Sequence, residues 1–196
     1  MRKILIVGGG YAGFYTAKKL EKHLRRGEAE VTMVDPLPYM TYQPFLPEVA
    51  AGSIEPRHAV VGHRRHLKKT KVVTAKVTKV DHANKTAELT PAVGEPWTVE
   101  YDTIVMTAGA VSRTFPIPGV ADQAIGLKTI EEAASIRDRL TDNFAKASNL
   151  PAGPERDRLL TVVVVGGGFA GIEVFGELRS LASSLVAQYD TLTFDD

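Results

Sequence analysis

Two nearly identical glycine clusters, Gly8-Gly9-Gly10-Tyr11-Ala12-Gly13 and Gly166-Gly167-Gly168-Phe169-Ala170-Gly171, each follow directly on a short β-branched run, Ile4 to Val7 and Val162 to Val165. A G-x-G-x-x-G between a strand and a helix sets each glycine a separate task. The first lets the chain turn sharply out of the strand, the second lets a pyrophosphate approach bare backbone, and the third packs the new helix against the sheet. That helix offers unpaired N–H groups and the positive end of its dipole to the phosphates, so the anion needs no lysine. One such cluster is compatible with an ordinary tight turn. Two, both between an expected strand and an expected helix, point to a chain that holds two dinucleotides.

The chain has 196 residues, 44% of them hydrophobic, which suits one large domain or one and a half of average size. Lys and Arg number 24 against 23 Asp and Glu, so no overall field favours nucleic acid or an anionic membrane. Cysteine is absent. This excludes a disulfide framework, a thiolate metal site and a C-x-x-C redox pair, and with them the thiol-using flavoenzymes. Met1-Arg2-Lys3 before Ile4-Leu5-Ile6-Val7 imitates a signal peptide, but glycine cuts the apolar run short and it reads as a buried first strand. No run approaches the ~20 apolar residues of a membrane span, and a soluble or peripheral, cytoplasmic protein is expected.

Lys3 to Val7 reads as a parallel strand covered on both faces. A helix is expected from Tyr11 to about Leu24, with Phe14, Ala17, Leu20 and Leu24 on one side. Val31 to Val34 makes a second strand ending on Asp35, close to the ~20-residue spacing at which an acidic side chain meets a ribose hydroxyl. The alternative is a strand-terminal Asp capping the Pro36-Leu37-Pro38 turn. Three strands then follow in succession, Lys71 to Val80, Thr86 to Leu89 and Thr98 to Met106, with connections short enough to allow antiparallel pairing only. A plain doubly wound fold has helices at this point. A small antiparallel meander between the second and third parallel strands is characteristic of one group of FAD-binding domains. Ile104-Val105-Met106 runs into Thr107-Ala108-Gly109, where backbone can approach a ligand. Arg113 to Gly119, with Pro116 and Pro118, reads as a crossover. A helix from Ile130 to Ser148, a polar break from Asn149 to Asp157 and the second strand, glycine cluster and helix complete the chain. The expected fold is α/β. Residues 1–115 supply the first part of a Rossmann-like FAD-binding domain, a parallel sheet with a three-stranded antiparallel meander, and 116–196 begin a second Rossmann-like domain.

The basic stretch from Arg57-His58 to Lys71, containing His63, Arg64, Arg65, His66, Lys68 and Lys69, matches no common metal-ligand spacing, and its charge repels a cation. It lacks the interleaved aromatics of a nucleic-acid patch. It reads as a solvated helix face with Val60, Val61 and Leu67 turned inward, and Trp97 and Tyr101 read as meander packing. No metal and no nucleic-acid partner are expected.

Taken together, Gly8 to Gly13 with Asp35, the stretch Tyr39-Met40-Thr41-Tyr42-Gln43-Pro44-Phe45-Leu46-Pro47-Glu48-Val49-Ala50-Ala51-Gly52, the segment Val111-Ser112-Arg113-Thr114-Phe115-Pro116-Ile117-Pro118-Gly119 and Gly166 to Leu178 resemble the type II NADH dehydrogenases (NADH:quinone oxidoreductases) among the two-dinucleotide-binding-domain flavoproteins. The resemblance runs over essentially the whole chain and covers less than half of a typical member. It implies that Gly8, Gly10, Tyr11, Ala12 and Gly13 bind the FAD pyrophosphate and Asp35 the adenosine ribose. Backbone near Val77 faces the adenine, Ala108 and Gly109 close over the cofactor, and Thr41 and Gln43 lie near the flavin. Gly166, Gly168, Phe169, Ala170 and Gly171 hold the pyrophosphate of NADH (or NADPH). Glu173 matches a family glutamate near the nicotinamide, although a glutamate in a first helical turn is also favoured by the dipole with its carboxylate in solvent. The implied activity is hydride transfer from NADH to FAD and on to a quinone. The alternatives are a soluble NAD(P)H reductase for ferredoxin or another carrier, and a truncated nucleotide-binding module without turnover. Thr107-Ala108-Gly109 stands where relatives read Ala-Thr-Gly, a departure that bears on the hydroxyl contact of that turn. A sulfide:quinone oxidoreductase is disfavoured because it would need cysteines. Association with the cytoplasmic face of a membrane is expected only through segments outside this chain, and a homodimer is left open.

Overall fold

The computed structural model describes residues 1–112, 114 and 116–193. The chain divides into two compact units, Met1–Thr41 with Val60–Val111, and Tyr42–Ala59 with the chain from Ser112 onward. In the first unit, β1 (Arg2–Val7), β2 (Ala29–Asp35), β5 (Lys71–Thr74) and β9 (Thr103–Met106) form a parallel sheet in the order β5-β2-β1-β9. Both faces are covered, and the pleat sorts the apolar residues between them. Ile6, Val31, Met33 and Val72 pack with Phe14 and Ala17 of α1 (Tyr11–His23), while Leu5, Val7 and Val34 pack with Ala75, Ala87, Leu89 and Tyr101. Ala87 and Leu89 belong to an antiparallel meander of β6 (Lys76–Asp81), β7 (Thr86–Thr90) and β8 (Trp97–Glu100), and Ala75 and Tyr101 flank it.

The strands expected over Lys71 to Val80 and Thr98 to Met106 are each two strands. Lys71–Thr74 ladders in parallel onto β2, and the chain crosses at Ala75, 3% exposed and hydrogen-bonded to the Asp35 carbonyl (3.1 Å), before it enters the meander. Tyr101 and Asp102 make the return crossing, with the Asp102 N–H on the Lys3 carbonyl at 2.9 Å. A single continuous strand cannot belong to both sheets. Their outer halves therefore join the parallel one, and only the inner halves pair antiparallel. The stretch read as a solvated helix is also different. β3 (Tyr39–Thr41) pairs antiparallel with β4 (Val60–Gly62), and α3 (His63–His66) is a single turn. The first residue of α3, His63, is completely buried.

The second unit contains no strand among its described residues. Its helices are α2 (Leu46–Ala50), α4 (Val120–Gln123), α5 (Ile130–Ala147), α6 (Pro154–Leu160) and α7 (Phe169–Val186). Leu46, Val49 and Ala50 of α2 pack with Leu140 and Phe144 of α5, Leu159 of α6, and Val174, Leu178 and Leu185 of α7. Helix α5 starts in a capping box. The Thr129 hydroxyl accepts the Glu132 N–H (3.1 Å) and the Glu132 carboxylate accepts the Thr129 N–H (2.9 Å). Part of the expected polar break is helix α6, which opens on Pro154 with Glu155 and Asp157 in its first turn, residues that suit a helix start. The strand expected over Val162 to Val165 is not formed. A strand is completed by a neighbour's N–H and C=O groups, and this unit offers none among its described residues, so Val163 is 77% exposed. Of the crossover expected from Arg113 to Gly119, Arg113 and Phe115 lie outside the described residues.

Candidate functional site

The order of the parallel sheet places its topological switch between β1 and β9, because the chain builds outward from β1 through β2 to β5 and then returns to the other side. The carboxyl ends of strands at such a point form the usual ligand crevice of an open α/β sheet. Here those ends are Val7-Gly8 and Met106-Thr107, which sit side by side in register.

Gly8 turns the chain with φ at +99°, its N–H on the Val34 carbonyl (2.8 Å), and a Cβ on it would come under 3.0 Å from the Thr107 carbonyl carbon. Thr107 closes over this turn. Its hydroxyl donates to the Val7 carbonyl (2.8 Å) and the Gly8 carbonyl (3.0 Å). The departure at Thr107-Ala108-Gly109 therefore keeps a hydroxyl contact, made by Thr107 to the loop itself, and Ala108 Cα lies 3.1 Å from the position of a Gly8 Cβ. Gly13 admits no side chain either, since a Cβ would stand under 3.0 Å from both the Gly8 carbonyl and the Thr107 hydroxyl. Gly10 differs from both, because no heavy atom lies within 4 Å of where its Cβ would be. Gly9 and Gly13 are buried and Gly10, Tyr11 and Ala12 are exposed, so the loop presents a bare ledge of backbone between two packed ends. Above the ledge stands the amino end of α1, with no acidic residue in its first turn and Lys22 and His23 in its last, a charge order that leaves the positive end open to an anion.

Asp35 ends β2 beside this ledge. One carboxylate oxygen accepts the Gly9 N–H (2.5 Å) and the other the Leu37 N–H (2.8 Å), so the turn-capping role is realised and the side chain also holds the loop. A carboxylate has roughly four acceptor sites, so two remain. His63 is the residue that reading the sequence missed. Its Nε2 lies 2.8 Å from the Gly9 carbonyl, its ring stacks on Phe14 with centroids 6.1 Å apart, and Nδ1 is buried without a partner. Burial pushes its pKa below the ordinary value and outweighs the opposing pull of the Gly9 carbonyl and Asp35. Val77, at a bulge of β6, packs on the cluster that contains Val7 and Val34. Thr41 closes β3 opposite Val60, and Gly109 has φ at +74° with open space around it.

The second cluster reproduces the first locally. Gly166 turns with φ at +115°, a Cβ on Gly171 would collide with the Gly166 carbonyl oxygen and stand 3.0 Å from its carbon, and Gly168 has nothing within 4 Å. It opens α7, again with no acidic residue in the first turn. Gly166 to Ala170 are all exposed, as are Gln43 in its 3₁₀ turn and Glu173, which stands just beyond the first turn of α7. Among the described residues, no group of three or more His, Cys, Asp and Glu side chains could hold a metal ion, and no helix is long and apolar enough to cross a membrane.

Comparison with known proteins agrees with this geometry. The chain is 36% identical to an external alternative NAD(P)H-ubiquinone oxidoreductase B2 of Arabidopsis thaliana mitochondria, over 96% of this chain and 34% of that protein. It is 34% identical to a type II NADH:quinone oxidoreductase of Staphylococcus aureus, over 96% of this chain and 46% of that protein. The chain thus spans less than half the length of these relatives. The structure of NDH2 from Plasmodium falciparum in complex with NADH superposes with a TM-score of 0.86 at 28% identity, covering 97% of this chain and 39% of that one. The fold is accordingly the Rossmann-like one of FAD- and NAD(P)-binding oxidoreductases. The sequence model of the pyridine nucleotide-disulphide oxidoreductases matches residues 2–194, and the chain belongs to that family.

Proposed function

We propose that this chain carries the two nucleotide cradles of an FAD-dependent oxidoreductase that passes hydride from NADH or NADPH to FAD and then electrons to a quinone. The observation that carries the reading is the pair of ledges. In both clusters the third glycine is closed by packing, while at the middle ones, Gly10 and Gly168, no protein atom lies within 4 Å of where a side chain would begin. A bare backbone ledge under a helix amino end fits a pyrophosphate.

In this reading the unit of Met1–Thr41 with Val60–Val111 binds FAD. Gly8, Gly10, Tyr11, Ala12 and Gly13 receive the pyrophosphate, and Asp35 offers its two remaining acceptor sites to the adenosine ribose. Val77 borders the adenine, and Ala108 and Gly109 close over the cofactor. Thr41 borders the flavin. Gly166, Gly168, Phe169, Ala170 and Gly171 receive the nicotinamide nucleotide, with Glu173 near its reactive ring. The flavin supplies the redox chemistry when bound; the protein's part is to bind, align and exclude water, and no catalytic triad or metal is called on. The names of the relatives, quinone and ubiquinone oxidoreductases, support the acceptor class.

The test is an absorption spectrum of the purified chain reconstituted with FAD and desalted, recorded before and after anaerobic NADH. Retained yellow colour that NADH bleaches supports the reading. Colour that NADH leaves unchanged reduces it to nucleotide binding without turnover, and a colourless protein refutes it.

A further inference from the structure

Two side chains hold Gly9 by its two neighbouring peptide groups. Asp35 accepts its N–H at 2.5 Å, and the His63 imidazole meets its carbonyl at 2.8 Å. A carbonyl oxygen only accepts, so Nε2 carries the proton and the bare nitrogen is the buried Nδ1. His63 has no freedom to be elsewhere. It is fully buried, its own N–H donates to the Pro38 carbonyl (3.0 Å), its carbonyl accepts the Leu67 N–H (2.9 Å), and its ring lies along Phe14. The fit also explains a glycine that the loop motif does not require. A Cβ on Gly9 would stand 2.5 Å from His63 Cε1, 2.8 Å from Nε2 and 3.1 Å from Asp35 Cβ.

We propose that His63 is a positioning residue for the first phosphate cradle, acting by fixing the plane of the Gly9–Gly10 peptide. The peptide is planar and trans, so its N–H points away from its C=O. Drawing the Gly9 carbonyl inward onto His63 turns the Gly10 N–H outward, at the one exposed glycine of this cluster, over the open ledge. With glycine on both sides, the peptide is otherwise free to rotate. Rotated, it would set a carbonyl oxygen where the anion binds. Asp35 makes the complementary arrangement by taking the Gly9 N–H, so that Gly10 is the first residue of the turn whose amide can serve the pyrophosphate. The assignment rests on reading this loop as the FAD cradle, but the orientation of the peptide can be tested without any cofactor.

The experiment compares the full chain with His63→Leu and His63→Gln, using FAD as the probe and flavin fluorescence as the signal. The leucine keeps the bulk and loses the donor, and the glutamine amide donates from nearly the same point. The expected result is FAD affinity lowered about tenfold or more in His63→Leu, the effect of one hydrogen bond to a charged group, with affinity within about threefold of the parent in His63→Gln by the same reasoning. In the ligand-free proteins, the Gly10 amide resonance shifts in His63→Leu and stays near its original position in His63→Gln. Unchanged FAD affinity in a folded His63→Leu, or a Gly10 amide indifferent to both substitutions, overturns the proposal. So does a ring ¹⁵N spectrum of the unmodified chain that puts the His63 proton on Nδ1, a measurement that stands even if the leucine variant does not fold. A chain that never binds FAD yet shows the expected Gly10 shifts refutes the cofactor reading and supports the positioning role.

Discussion

Replacing Gly10 with alanine separates binding from folding, and the structure sets both magnitudes. Gly10 has φ −68° and ψ −163°, which alanine adopts freely, and a new methyl meets no protein atom within 4 Å. As the residue preceding α1 it loses about 0.5–1 kcal/mol of end-capping preference. The smaller entropy of the unfolded chain offsets this by about 0.4–1 kcal/mol. The melting temperature of the ligand-free chain should therefore move by no more than about 3 °C. The methyl nevertheless fills the space over the ledge. Losing a hydrogen bond to a charged ligand there costs about 1.5–3 kcal/mol, or roughly 10- to 150-fold in the dissociation constant for FAD. Gly13→Ala is the control with the opposite signature. Its methyl collides with the Gly8 carbonyl, on backbone that cannot yield, and with the Thr107 side-chain hydroxyl 2.7 Å away. Overpacking near the upper end of about 1–3 kcal/mol, less about 1 kcal/mol of gained helix propensity, leaves a net loss of ~2 kcal/mol and a fall of about 4–8 °C. Thermal melts without ligand and flavin fluorescence titrations measure the two effects separately. If Gly10→Ala binds FAD as the parent does, or melts as low as Gly13→Ala, the division of labour among these glycines is wrong.

Asp35→Ala strands the N–H groups of Gly9 and Leu37, so the chain should melt lower and bind FAD at least about tenfold more weakly, while Asp35→Asn, which keeps one acceptor oxygen, should fall between; titrations of both variants check the order. Because burial holds the folded His63 below its ordinary pKa, the unfolded chain takes up a proton first, near about pH 6.5. Its contribution to stability is therefore complete above that pH and declines as the pH falls below it, and melting curves from about pH 7.5 to 5.5 should show a loss in the parent that His63→Gln lacks. Thr107→Val removes the hydroxyl bonds to the Val7 and Gly8 carbonyls. The Val7 carbonyl still holds the Thr107 N–H, so denaturant unfolding should show a loss of only about 0.5–1.5 kcal/mol.

Local chemistry made the first cradle legible. The glycine pattern, the apolar run ahead of it and the facing of Phe14 and Ala17 fix β1, the turn and α1 from a few adjacent residues, and the alternative reading of Asp35 as a cap on the Pro36-Leu37-Pro38 turn is met by its bond to the Leu37 N–H. His63 was misread because the residues that follow it, Arg64, Arg65, His66, Lys68 and Lys69, are basic and solvent-seeking. Its burial comes from a tertiary partner, the Gly9 carbonyl, which leaves no trace in the spacing of residues 57–71. The two long strands were expected whole because β-propensity does not mark the point where a chain changes sheets; small, buried Ala75 was the clue. Val162 to Val165 shows the converse. Its composition is that of a buried strand, but pairing depends on a neighbour supplied from elsewhere, and the glycine turn holds its shape without one.

If each glycine cluster receives its own dinucleotide, hydrogen–deuterium exchange with the two ligands added separately will resolve two distinct footprints. FAD is expected to slow exchange in peptides covering Gly8 to Gly13, and NADH in those covering Gly166 to Gly171. Slowing by FAD at the second cluster in place of the first, or by neither ligand at either cluster, would contradict this reading.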